Sequence, residues 1–128
     1  MPSPRKLIST DSPFEKTMGY SRAVAQGDWC FVSGVTGYDY QAMVMPEGAR
    51  AQAENCFDTI AGVLEESGFR MSDIARIQYT VVDRALVSDV QPVLDARLSD
   101  IRPAATMVIA GLIEDEMLIE IEVTAFKG

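Results

Sequence analysis

The stretch MLIEIEVTAF, Met117–Phe126, alternates along its length. In an extended chain Ile119, Ile121, Val123 and Ala125 point one way, and Glu120, Glu122 and Thr124 the other. A strict period of two marks a strand with one face on a core. Just upstream, across the polar connection IEDE, Ala105–Ala110 predicts a second strand. Further back the period lengthens. Pro46–Ser67 carries Ala49, Ala53, Cys56, Phe57, Ile60, Val63 and Leu64 at helical spacing, and Gly68 stops that helix. Val87–Leu98 predicts a second helix with Val90, Val93, Leu94 and Leu98 on one face. Ser88 is placed to cap it, Pro92 is tolerable near its first turn, and Arg102-Pro103 ends the segment.

Between the helices, Ile74–Val82 predicts a strand. Ahead of them, Tyr20–Gln26 and Trp29–Gly37 predict two more, joined by a tight turn at Gly27-Asp28. Lys6–Ile8 reads as a short edge strand, and the rest of residues 1–18 as loop. The predicted order is β-β-β-α-β-α-β-β in one α+β domain spanning residues 1–128. One mixed sheet would carry both helices on one face. Its other face would mix Glu120, Glu122 and Thr124 with apolar residues of neighbouring strands, a composition suited to subunit packing. Trp29 and Phe31 are read as core by their neighbours.

Composition excludes several classes of function. Nineteen acids against eleven bases give a net charge of -8. Such a surface repels phosphate, so neither nucleic acid nor an anionic membrane is an expected partner. No apolar run approaches the ~20 residues of a membrane span, and the N-terminus has no signal-type stretch, so a cytoplasmic protein is expected. There is no histidine. That removes Ser-His and Cys-His nucleophile pairs and most zinc sites, so no metal is expected. General acid or base work falls to Glu, Asp, Tyr, Lys or a held water. Cys30 and Cys56 fit no metal spacing and read as small buried hydrophobes. Removal of Met1 would free the amine of Pro2, a tautomerase-like base, but the polar Ser-Pro-Arg-Lys that follows argues against a buried amine.

Several segments together resemble the RidA/YjgF-type (reactive intermediate deaminase) family. GYSRAVAQGDWCFVSGVTG is similar to its opening Tyr-Ser strand and Ser-Gly loop, and AQAENCFDTIAGVLEESG to its first helix. RPAATMVIAGL and IEIEVTAF resemble its C-terminal signature. The likeness runs from about Gly19 to Phe126. It implies a chorismate-mutase-like fold, a homotrimer with barrel-like centre, and small-molecule clefts between subunits. It also implies hydrolysis of imines or enamines to carbonyl compounds and ammonia, with no cofactor.

Residue by residue, the resemblance implies that Glu120 holds the attacking water. Tyr20, Ser33, Gly34 and Thr106 would border the ligand, and Met107 stands where the family often has Cys. One position departs. The family's carboxylate-gripping arginine, two residues after the proline, is here Ala105. Losing such an anchor costs about 2–5 kcal/mol of binding unless something replaces it. Arg102 is the nearest basic residue, placed by alternation on the opposite side of the strand. The expectation is therefore a Rid-type hydrolase acting on something other than 2-iminopropionate. The alternative is a non-catalytic ligand-binding or protein-interacting trimer of the same fold. Ribonuclease activity, attached to some members, is opposed by the charge and by the lack of histidine.

Overall fold

The computed structural model describes residues 3–128; the Pro2 amine lies outside them. The first three strands are β1 (Lys6–Ile8), β2 (Ala23–Gln26) and β3 (Trp29–Thr36). A short helix, α1 (Pro13–Met18), separates β1 from β2. Then follow α2 (Ala49–Glu66), β4 (Ile74–Val81), α3 (Val87–Leu98), β5 (Ala104–Ile109) and β6 (Ile119–Phe126). The strands form one mixed sheet in the order β1-β2-β3-β6-β4-β5, all pairs antiparallel except β4 with β5. The last strand of the chain is thus central, between β3 and β4.

The alternation read in β6 is observed: Ile119, Ile121, Val123 and Ala125 are buried, while Glu120, Glu122, Thr124 and Phe126 are not. The buried set meets the stripe of α2, where Ala53, Cys56, Phe57, Ile60 and Leu64 have no exposed surface. Ile77, Tyr79 and Val81 of β4 and Val90 and Val93 of α3 extend the same layer. Each large aliphatic or aromatic side chain in it contributes about 1.5–3 kcal/mol of burial. Both cysteines are free and buried, and Cys56 Sγ reaches the Val35 carbonyl at 3.2 Å. No described helix is long and apolar enough to cross a membrane.

Four expectations are corrected. The loop expected over residues 9–18 contains α1, capped by the Ser12 side chain, opened by Pro13 and closed by Gly19 at φ 72°. Ser88 does not cap α3: Asp83 instead accepts from the Ala85 amide in the single turn leading into it. Pro92 lies inside α3, past its first turn. Trp29 and Phe31 are not core. They are 45 % and 50 % exposed on the sheet face opposite the helices, where Trp29 packs on Phe126 at 4.4 Å between ring centroids. Cys30 and Val32 take the helix side, and alternation sends their neighbours outward.

Two glycines allow close approaches. Gly37 follows β3 and lies against α2, where a Cβ would come within 2.6 Å of Gln52 Cα. Gln52, 2 % exposed, gives Nε2 to the carbonyls of Pro46 and Glu116 and accepts from the Leu118 amide. It fastens the chain entering β6 to the helix.

Candidate functional site

In β3 the register shifts between Val32 and Val35, so Ser33 and Gly34 form a bulge beside β6. The Ser33 hydroxyl donates to the Ser21 carbonyl at 2.7 Å and its amide to the Arg22 carbonyl at 2.9 Å. Ser33 therefore builds the bulge. Gly34 presents bare backbone to Glu120: a Cβ there would lie 2.5 Å from Glu120 Cδ and 2.7 Å from Oε1.

This bulge and Glu120 form one side of a cavity of about 190 Å³. Its walls are Phe14 and Met18 of α1, Ile113 and Met117 of the β5–β6 connection, the rings of Tyr20 and Tyr40, and Thr36. The volume is below the ~300 Å³ at which drug-sized sites begin, so it suits a small molecule. Glu120 is its one carboxylate. Burial raises the Glu120 carboxyl above the ordinary range and the neighbouring Glu122 adds to the rise, while Arg22 opposes both. A glutamate tuned upward in a small apolar pocket is a stronger base than a free carboxylate, as a proton acceptor requires. The Tyr40 hydroxyl is held by the Thr36 amide at 3.0 Å, and burial raises it, with Arg22 opposing.

The other expected residues lie elsewhere in the single chain. Thr106 shares the open face of the sheet, across from Gln78, which itself pairs Glu122. Ala105 and Met107 alternate to the helix side of β5. Ala105 lines a separate open groove with Tyr79, Leu94, Leu98 and Pro103. Arg102 lines that groove too. Strand alternation had set Arg102 apart from Ala105, but Arg102 precedes β5 and has φ 53°, so the period of two does not govern it. The structure thus brings together Tyr20, Gly34 and Glu120, with Ser33 behind them, and leaves Ala105, Thr106 and Met107 on β5.

Sequence reasoning missed the wall residues Phe14, Met18, Thr36, Tyr40 and Ile113, and one charged residue behind the wall. Arg22 has no exposed surface. Its Nη1 donates to the Gly34 carbonyl at 2.8 Å, and its guanidinium lies 4.5 Å from the Tyr40 ring centroid and 5.5 Å from that of Tyr20. Nothing in Tyr-Ser-Arg-Ala-Val signals burial except the improbability of a lone base among strand residues. Among the described residues, no group of three or more His, Cys, Asp or Glu is placed to hold a metal ion.

Gly34→Ala tests the close approach directly. The clash falls on the end of a flexible side chain, so Glu120 must swing away. Stability should change by less than about 1 kcal/mol, as for an alanine Cβ that displaces only a flexible side chain. Ligand binding or turnover dependent on Glu120 should fall at least about tenfold, the scale of a misplaced reacting group. Paired thermal melts and activity or binding assays would read both.

A six-stranded mixed sheet with two helices on one face and a small carboxylate pocket at a strand bulge defines the class of protein. Within that class the chain belongs to the endoribonuclease L-PSP family, which it matches over residues 10–127. It is 31 % identical to a Mycobacterium tuberculosis protein of the YjgF/YER057c/UK114 family, with a TM-score of 0.88 over 97 % of this chain and 100 % of that one. It is 27 % identical to RidA from an Antarctic Psychrobacter, with a TM-score of 0.84 over 94 % and 98 % of the two chains. A 2-iminobutanoate/2-iminopropanoate deaminase of Dermatophagoides farinae is 33 % identical over 76 residues, 59 % of each chain.

Proposed function

We propose that this protein is a Rid-type hydrolase that converts a small imine or enamine, with one water, to a carbonyl compound and ammonia. The observation that carries the reading is the Glu120 carboxylate, tuned upward in a small pocket against the Gly34 bulge. An imine carbon is electrophilic, so the protein's task is to place a water and move a proton. An enamine first takes a proton at carbon to become the protonated imine. Glu120 takes one proton as the water oxygen bonds to the imine carbon and the C=N π pair moves to nitrogen. Glu120 returns that proton to the carbinolamine nitrogen, then takes the hydroxyl proton as the C–N bond breaks, leaving the carbonyl compound and ammonia, which carries the last proton away as ammonium. No cofactor or metal is needed for these steps. The naming of one relative as a 2-iminobutanoate/2-iminopropanoate deaminase supports the reaction class.

The working form proposed is a cytoplasmic homotrimer. The half-exposed Trp29, Phe31 and Phe126 on the open sheet face support self-association. In such an assembly a neighbouring copy would deliver Ala105, Thr106 and Met107 to the pocket. Alanine at position 105 offers no charge to a carboxylate, so the preferred substrate is less tied to that group than 2-iminopropionate. The net charge of -8 and the absence of histidine oppose RNA cleavage.

The test is ammonia release from imines made in situ by an amino-acid oxidase across a panel of parent amino acids, with aminomuconate-type substrates added directly. Turnover of one substrate class by the wild type is the expected result. Ala105→Arg should raise kcat/KM for simple 2-imino acids by about tenfold or more, since a bidentate carboxylate contact is worth a few kcal/mol. Silence across the panel, with ligand affinity unchanged in Glu120→Gln, would favour the binding-protein alternative.

A further inference from the structure

Arg22 carries a charge that is only loosely matched. Buried charges normally sit in close ion pairs. Yet its one carboxylate within 4 Å among the described residues is Glu15, at 3.9 Å from Nε. That carboxylate is already occupied by the Thr10 amide at 2.9 Å and hydroxyl at 2.8 Å. Burial alone would raise Glu15, but the bonds from Thr10 and Ser9, together with Arg22, outweigh it and hold the carboxyl below the ordinary range. Glu15 is thus a firm anion, but a distant and shared one. The remaining contacts of Arg22 are neutral: the Gly34 carbonyl, the Thr10 hydroxyl at 3.4 Å, the Tyr20 hydroxyl at 3.5 Å, and the two tyrosine faces.

These contacts aim the guanidinium at one place. It grips the carbonyl of the very glycine against which Glu120 rests, and the rings flanking it are the tyrosines of the pocket wall. A cation stacked on aromatic faces and tied to a backbone carbonyl keeps much of its field when its one anionic partner is 3.9 Å away and shared with Thr10. We propose that Arg22 is a positioning residue for Glu120: its guanidinium fixes the Gly34 bulge against the carboxylate and places a buried positive charge behind that contact. This rests on the reading of Glu120 as the proton acceptor.

The titratable groups around Glu120 are few. Glu122 lies on its own strand, Arg22 stands ahead of β2 with Glu15 of α1 behind it, Cys56 comes from α2, and Tyr20 and Tyr40 line the pocket. Arg22 is the only cation of the set. Its removal leaves burial and Glu122 unopposed, so the carboxylate should become harder to form.

The experiment follows the side-chain carboxyl of Glu120 by NMR titration of glutamate-labelled protein, assigned with Glu120→Gln, alongside pH–rate profiles. Arg22→Met should move the midpoint upward by about one unit or more, the scale of a lost neighbouring charge. The acidic limb of kcat/KM should move with it, a roughly tenfold loss of rate at a pH below the limb. Arg22→Lys should keep the midpoint near wild type but lower kcat, because an ammonium cannot reproduce the planar hold on Gly34 and both rings. Glu15→Gln, which frees Arg22 from its shared anion, should move the midpoint down, and this variant serves if Arg22→Met does not fold. A midpoint unmoved in Arg22→Met, or in Glu15→Gln where that variant stands in, overturns the inference. If the midpoints move as stated but Glu120→Gln still turns over substrate, Arg22 keeps its effect on Glu120, and it is the functional reading that fails.

Discussion

Glu120→Gln is expected to abolish ammonia release while leaving the fold intact. The amide has nearly the shape of the carboxylate, so the Gly34 contact and the pocket walls are preserved. What is lost is the ability to accept a proton, worth about 10²–10⁴ in rate for a positioned acid or base. Stability should not suffer. The Glu120 carboxyl is raised by burial and by Glu122, which means its charge is carried at a cost in the folded state. A neutral side chain removes that cost, so the melting temperature should hold or rise slightly. The wild-type rate should fall as pH drops through the raised Glu120 value, because protonation removes the acceptor, and that limb should be missing from any residual activity of the variant. Retention of more than about a tenth of the turnover would rule Glu120 out as the acceptor, since general-base contributions are larger than that.

Gly37→Ala is expected to cause the largest loss of stability from a single methyl group in this chain. The added Cβ meets the α2 backbone at Gln52 Cα, 2.6 Å away, and not a movable side-chain end. Relief requires α2 to shift from β3. Such overpacking costs about 1–3 kcal/mol. A shift also strains the three buried bonds of Gln52 to Pro46, Glu116 and Leu118 and the bond from Asn55 to the Gly37 carbonyl. Unmade buried bonds add about 1–3 kcal/mol. Together the loss should be about 3 kcal/mol or more, a drop of about 10 °C in melting temperature for a domain of this size. Calorimetry would read it, and a melting temperature within about 2 °C of wild type would show that the helix accommodates the methyl group. Gly34→Ala is the contrasting control: the same substitution, with the clash on a flexible carboxylate.

The sheet and both main helices were legible in the sequence because their faces are large. The stripe of α2 and the alternation of β6 each repeat over several turns or pairs, and a repeated period survives local noise. The edge strand Lys6–Ile8 and helix Val87–Leu98 match the predicted bounds. The helix α1 was hidden because six residues are too few for a stripe, although Ser12, Pro13 and Gly19 mark both of its ends. Trp29 and Phe31 are hydrophobic enough to read as core, but strand parity sends them outward: once Cys30 faces α2, its neighbours cannot. The site was legible only in part. Glu120, Gly34 and Tyr20, distant along the chain, line one cavity. Arg22 was illegible because its meaning lies in Gly34, Tyr20 and Tyr40 at its tertiary position, and not in any spacing along the chain.

The central place of β6 has a consequence for how the chain comes into being. During synthesis β3 and β4 both emerge before the strand that joins them, with α2, α3 and β5 also made before it. Until residues 119–126 arrive, β1–β3 and β4–β5 are separate half-sheets, each with an unpaired inner edge. Closure then depends on contacts distant along the chain, which are slow to form. The nascent protein therefore passes through an interval in which it is open to pairing with other chains, and a holdase that shields strand edges would act there and not on the finished fold.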